Sequence, residues 1–107
     1  RLQMLIAILG RHTKVDLREF DVYVNIAEGY KLKDPISDLA VLMSLASSFY
    51  NKELVGDHVF LGEVDLSSSL HLPIQAKKII KSVEKMKLKS VFGSRKSLNQ
   101  LFTEYFN

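Results

Sequence analysis

The stretch that most restricts the fold is "KDPISDLAVLMSLASSFY", Lys33 to Tyr50. Asp34 before Pro35 reads as a helix start: a carboxylate can cap free N–H groups, and proline at the first helical position gives up no hydrogen bond. Leu39, Leu42, Leu45, Ala46 and Phe49 then form a wide apolar stripe. Ala40, Ser44, Ser47 and Ser48 are small, so a sheet or a second helix can approach closely. A helix of this kind is central, and the rest of the chain has to pack around it.

The flanking segments supply the partners. "RLQMLIAILGRH" carries Leu2, Leu5, Ile6 and Leu9 at helical spacing, with Met4 and Ile8 widening the stripe and Gly10 weakening the end. "FDVYVNIAEG" alternates Val22, Val24 and Ile26 with Tyr23, Asn25 and Ala27, which predicts a strand ended by Gly29; "YKLKD" is a second short strand or the rest of a hairpin. "HVFLGEV", His58 to Val64, predicts a strand, with "SLHLP", Ser69 to Pro73, as its hairpin partner. "IQAKKIIKSVEKMKLK" predicts an amphipathic helix, with Ala76, Ile79, Ile80, Val83 and Met86 on one side and Lys77, Lys78, Lys81 and Lys85 on the other. "SVFG" reads as a short strand. "SLNQLFTEYF" closes the chain as a helix capped by Ser97, with Leu98, Leu101, Phe102, Tyr105 and Phe106 inward. The expected fold is α+β, a two-layer mixed sheet with helices, in one domain over residues 1–107.

Composition removes several classes of function. The longest apolar run, Leu2 to Leu9, is too short to span a bilayer. There is no cysteine, which excludes disulfides, thiolate zinc sites and iron–sulfur ligation and fits a cytoplasmic location. His12, His58 and His71 have no metal-ligand spacing, so no metal site is expected; His58 and His71 are placed at strand starts or edges. Glu63, a charge in an apolar strand, reads either as an edge residue or as the partner of a cation at a subunit contact. Tyr30, Phe49 and Tyr50 are candidates for an exposed aromatic contact. The start at Arg1 rather than Met points to a piece of a longer protein.

The net charge of +3 is unevenly spread. Residues 75–96 hold Lys77, Lys78, Lys81, Lys85, Lys87, Lys89, Arg95 and Lys96 against Glu84 alone, whereas residues 1–74 carry 7 basic and 10 acidic residues. A lysine face can hold phosphates without reading sequence, or can simply be solvated. Lys77, Lys78, Lys81, Lys85, Arg95 and Lys96 are the candidate DNA-binding residues.

"RLQMLIAIL", "DVYVNIAEG", "KDPISDLAVLMSLASS" and "GEVDLSSSLHLP" followed by an amphipathic helix, in this order, resemble the C-terminal domain of the bacterial RadA (Sms) repair-protein family. That domain is similar to the proteolytic domain of Lon and to the second domain of a small-subunit ribosomal protein. The resemblance covers about residues 1–90; the abrupt "VFGSRKS" departs from the family's longer tail. It implies a cytoplasmic bacterial protein acting in DNA repair and recombination, assembled into ring-shaped homo-oligomers, with sequence-independent binding of duplex or branched DNA and no membrane partner. It also implies ATP, magnesium and zinc for other domains of such a protein, but no cofactor here: there is no glycine-rich phosphate loop ending in Gly-Lys-Ser/Thr.

Aligned on the Lon pattern, Ile36 takes the position of the nucleophilic serine and Ile79 that of the catalytic lysine. Ser37 is one residue out, a 100° rotation on a helix, and Lys77 and Lys78 lie about 200° and 100° from Ile79. The resemblance therefore implies a pseudo-protease, because a Ser–Lys dyad needs a hydroxyl beside a neutral lysine. The alternatives are a peptidase using Ser37 with Lys77 or Lys78, and a stand-alone protein-interaction domain.

Overall fold

The computed structural model describes residues 1–27, 34–93 and 96–107. Its elements run α1 (Leu2–His12), a 3-10 turn (Pro35–Ser37), α2 (Asp38–Tyr50), β1 (His58–Phe60), β2 (Glu63–Val64), β3 (Leu70–His71), α3 (Ala76–Lys85), β4 (Lys89–Val91) and α4 (Leu98–Phe106). The architecture is α+β.

The helix start at Asp34–Pro35 forms in two steps. The Asp34 carboxylate accepts from the Ile36 N–H at 3.0 Å, as a cap should. Residues 35–37 make a 3-10 turn, and the α-helix begins only at Asp38. Leu39, Leu42, Met43 and Ala46 are completely buried, so α2 is the central helix its stripe predicts. One large core joins α1, α2 and α4 through Leu5, Leu9, Leu42, Leu98 and Phe102, with Phe60 and Val64 from the strands. The Ser97 cap expected for α4 is present as a reciprocal capping box with Gln100.

The single strand expected over 58–64 is instead two strands in two ladders. β1 pairs in parallel with β4, matching His58 with Lys89, and β2 pairs antiparallel with β3, matching Glu63 with His71. The break falls at Leu61–Gly62, where the chain turns toward α2. The Gly62 N–H donates to the Ile36 carbonyl at 2.9 Å, and the Leu39 N–H donates to the Gly62 carbonyl at 3.0 Å. Backbone groups that would have continued a ladder are spent on stitching the strand to the helix start.

The strand expected over 22–26 does not form. Its alternation survives, with Val22, Val24 and Ile26 half-buried and Asp21, Tyr23 and Asn25 exposed, but no strand among the described residues lies beside it. Period-2 patterning gives an extended chain; a ladder also requires a partner. The segment instead walls a groove of about 860 Å³ lined by Ser37 of the 3-10 turn and by the small residues Ala40, Ser44 and Ser48 of α2. The second strand expected at "YKLKD", apart from Asp34, and Tyr30 lie outside the described residues. Phe49 is exposed at the edge of this groove, edge-on to Phe20, and Tyr50 is half-buried.

Asp38 ties three elements together. It is 1% exposed, and its carboxylate accepts from Arg1 Nε at 2.7 Å, from Arg1 Nη2 at 2.6 Å and from the Val64 N–H at 3.2 Å. The hydrogen bonds to Asp38 hold the Arg1 guanidinium still more firmly protonated than usual. The antiparallel hairpin is closed by a second carboxylate. Asp65 accepts from the Ser67 N–H, the Ser67 hydroxyl, the Ser69 N–H and His71 Nε2. The Ser67 hydroxyl, then His71 and the Ser69 amide, hold the Asp65 carboxyl well below the usual carboxylate range. His12, from the end of α1, donates to the Leu66 carbonyl at 2.9 Å and pins this turn to the helix.

Both α2 and α3 end in the same hydrogen-bond pattern. At α2, the Lys52 N–H donates to the Ser47 carbonyl and the Asn51 N–H to the Ser48 carbonyl; at α3, Leu88 donates to Val83 and Lys87 to Glu84. This is the Schellman motif, which needs a left-handed residue just past the helix. Asn51 fills that place at φ 53°, a residue type suited to it, but Lys87 fills it at φ 60°.

Arg1→Ala, leaving Asp38 buried without its cation, should lower the unfolding free energy by about 3 kcal/mol in urea titration, and Asp38→Asn by less. For Asp65 the folded-state value is depressed, so its contribution is complete above the unfolded value near pH 4 and is lost as pH falls below that. The stability gap between the wild type and Asp65→Asn should be present at pH 6 and shrink below pH 4. Lys87→Gly should raise stability by about 1 kcal/mol, since glycine adopts the left-handed conformation without the Cβ clash.

Candidate nucleic-acid interface

α3 is fixed to the fold by its apolar side. Ala76 and Val83 are buried and Ile79 and Ile80 half-buried, as their spacing predicts. Met86, expected on the same side, is 67% exposed, because the helix ends at Lys85 and the chain turns away there. The opposite side of α3 presents Lys77, Lys78, Lys81 and Lys85, all exposed. The ion pairs among the described residues are Arg1–Asp38, Arg18–Asp16, His71–Asp65 and Lys96–Glu104, and none involves α3. The lysine row therefore keeps its charge available to a partner in solution.

The row continues past the helix. Lys87 sits in the turn and Lys89 opens β4, both exposed, so the basic edge runs around the end of α3. Neither was singled out as a site residue from sequence, although their alternation beyond the helix was a usable signal. Lys96 differs from this row in being paired. It is ion-paired with Glu104 on α4 and lines, with Lys89, His58 and Tyr105, a shallow basin of about 400 Å³ between β4 and α4. The Tyr105 hydroxyl accepts from the Val55 N–H at 3.0 Å and is hydrogen-bonded to His58 Nδ1 at 2.8 Å. Arg95 lies outside the described residues.

The two isoleucines assigned to the dyad positions come together. Ile36 is 7% exposed and forms a small apolar cluster with Leu61 and Ala76, against which Ile79 and Ile80 pack. Ser37 is not drawn into it. Its hydroxyl donates to the Asp34 carbonyl at 2.8 Å, and no hydrogen bond joins it to Lys77 or Lys78. From sequence, Ser37 and Asp38 read as acceptors for free N–H groups of the first helical turn. In the structure Ser37 is a donor, and Asp38 turns away from its own helix toward Arg1 and Val64. His58 does open β1; His71 closes β3 and gains Asp65 as a carboxylate partner that spacing did not reveal. Among the described residues no three His, Asp or Glu side chains gather as a metal-binding group, and no helix is long and apolar enough to cross a membrane.

No family model matches the chain. Individual proteins do. It is 33% identical over 106 residues, 99% of its length, to the DNA repair protein RadA of Campylobacter jejuni. It is 37% identical over 95 residues to the DNA repair protein RadA of Rickettsia bellii, and 37% identical over 86 residues to that of Brucella abortus. The chain spans 24%, 21% and 18% of these three relatives. Similarity over 99%, 89% and 80% of the chain, to relatives that share one name, is consistent with a RadA-related domain.

Proposed function

We propose that this chain is a non-catalytic, Lon-like scaffold domain of a RadA-type DNA repair protein, and that α3 is its contact with DNA. The observation that carries the reading is the row Lys77, Lys78, Lys81 and Lys85: four exposed cations on one rigid helix, with no ion pair among the described residues. Lysines presented this way neutralise phosphates and release counterions, which gives affinity without sequence preference. The names of the relatives favour this over a merely solvated face.

The absence of peptidase chemistry is part of the same proposal. A Lon-type dyad at positions 36 and 79 would need a hydroxyl and an amine in contact, and two isoleucines of one apolar cluster stand there instead. The Ser37 hydroxyl donates its hydrogen bond to a backbone carbonyl and makes none to a lysine. On this reading the fold of a protease serves as a structural part of a ring-forming assembly. ATP, magnesium and zinc would be handled by other domains of such a protein.

Binding of the chain to labelled DNA should weaken steeply with salt. With four phosphate contacts, log K against log salt should fall with a slope of about −3 to −4 on duplex. Lys77→Glu combined with Lys81→Glu should abolish binding while leaving the thermal melt unchanged. No retention on DNA by the wild-type chain at low salt would remove the DNA role.

A further inference from the structure

Ile74 is 85% exposed, yet it is not on a loose loop. The Ala76 N–H donates to the Pro73 carbonyl at 3.0 Å and the Lys77 N–H to the Ile74 carbonyl at 3.2 Å, so the backbone around it is an ordered turn of the 3-10 type that leads into α3. Ala76, two residues on, is completely buried and anchors that turn. At 100° per residue, positions 74, 78, 81 and 85 fall within about 60° of arc. Ile74 therefore heads the line formed by Lys78, Lys81 and Lys85. It stands about 6 Å along the axis from Lys78, and Lys78 to Lys85 covers about 10 Å. Three lysines in line can each meet one phosphate of a strand laid along the helix.

We propose that Ile74 is an apolar wedge that contacts an exposed base face while the lysines behind it hold the adjoining phosphates. The inference rests on the nucleic-acid reading above and narrows it to single-stranded or locally unstacked substrate. The chemistry of the surface selects that ligand. A partner must offer a run of phosphates and, at one end of it, an apolar face. Intact duplex hides its base faces by stacking, and simple polyanions have none. A strand with unstacked bases offers both, and isoleucine is among the apolar side chains able to pack against a base face where a step is opened. Because the contact uses a base face and no hydrogen bond, it is indifferent to sequence.

Two variants of the chain test this. Ile74→Ala should weaken binding to single-stranded oligo-dT about tenfold in fluorescence anisotropy. The salt slope should not change, because no phosphate contact is lost. Lys81→Glu should do the opposite, reducing the slope by about 1. The chain contains no tryptophan, so Ile74→Trp supplies a unique fluorophore. Its emission should be quenched by single-stranded DNA and much less by blunt duplex. If Ile74→Ala binds within about twofold of wild type and the Ile74→Trp emission is unmoved, the wedge is overturned. The lysine row would then stand, and Ile74 would pass to a protein contact. If the wild-type chain binds no DNA at low salt, both readings fall together.

Discussion

The carboxylate of Asp38 is the point on which the assembly of this domain turns. A charge at 1% exposure is tolerated only if every oxygen is occupied, and here the guanidinium of Arg1 and the amide of Val64 do this. Those two partners are remote from each other in the chain: one precedes α1, the other belongs to β2. Satisfying one side chain thus fixes where α1 crosses α2 and where the antiparallel hairpin lies. The cluster beneath α3 follows from that placement, since Gly62 reaches the Ile36 carbonyl only when β2 is held against the start of α2. The orientation of the lysine row is a consequence at the end of this series.

Helices were legible in the sequence because their information is local. α1, α2, α3 and α4 each carry a 3.6-residue stripe, and the two start signals, Asp34 and Ser97, cap as their positions foretell. The strands were less legible. Whether Val22–Ile26 pairs depends on a neighbour remote in sequence, and whether 58–64 is one strand or two depends on what Gly62 meets in space. Met86 failed for a different reason: the periodicity extends to it, but the Schellman turn ends the helix one residue earlier.

The candidate site divides the same way. The lysine face was visible as a pattern in the sequence. What no spacing revealed was the company kept in space: that Ile36 and Ile79 share a cluster, that Lys96 is taken by Glu104, and that Ile74 is exposed on an ordered turn. Aliphatic residues next to a proline are ordinarily read as part of a core, and only tertiary packing shows this one to be left outside.

The parallel pairing of β1 with β4 has a kinetic implication. Strands joined in parallel need a long crossover, and here it contains the β2–β3 hairpin and the whole of α3. Contacts of such sequence separation form late, after the entropy of closing the loop has been met. α3 alone is ten residues, too short to persist as a helix in water. The aligned row of cations is therefore a property of the folded domain and not of α3 alone: it depends on the packing of α3 against β4.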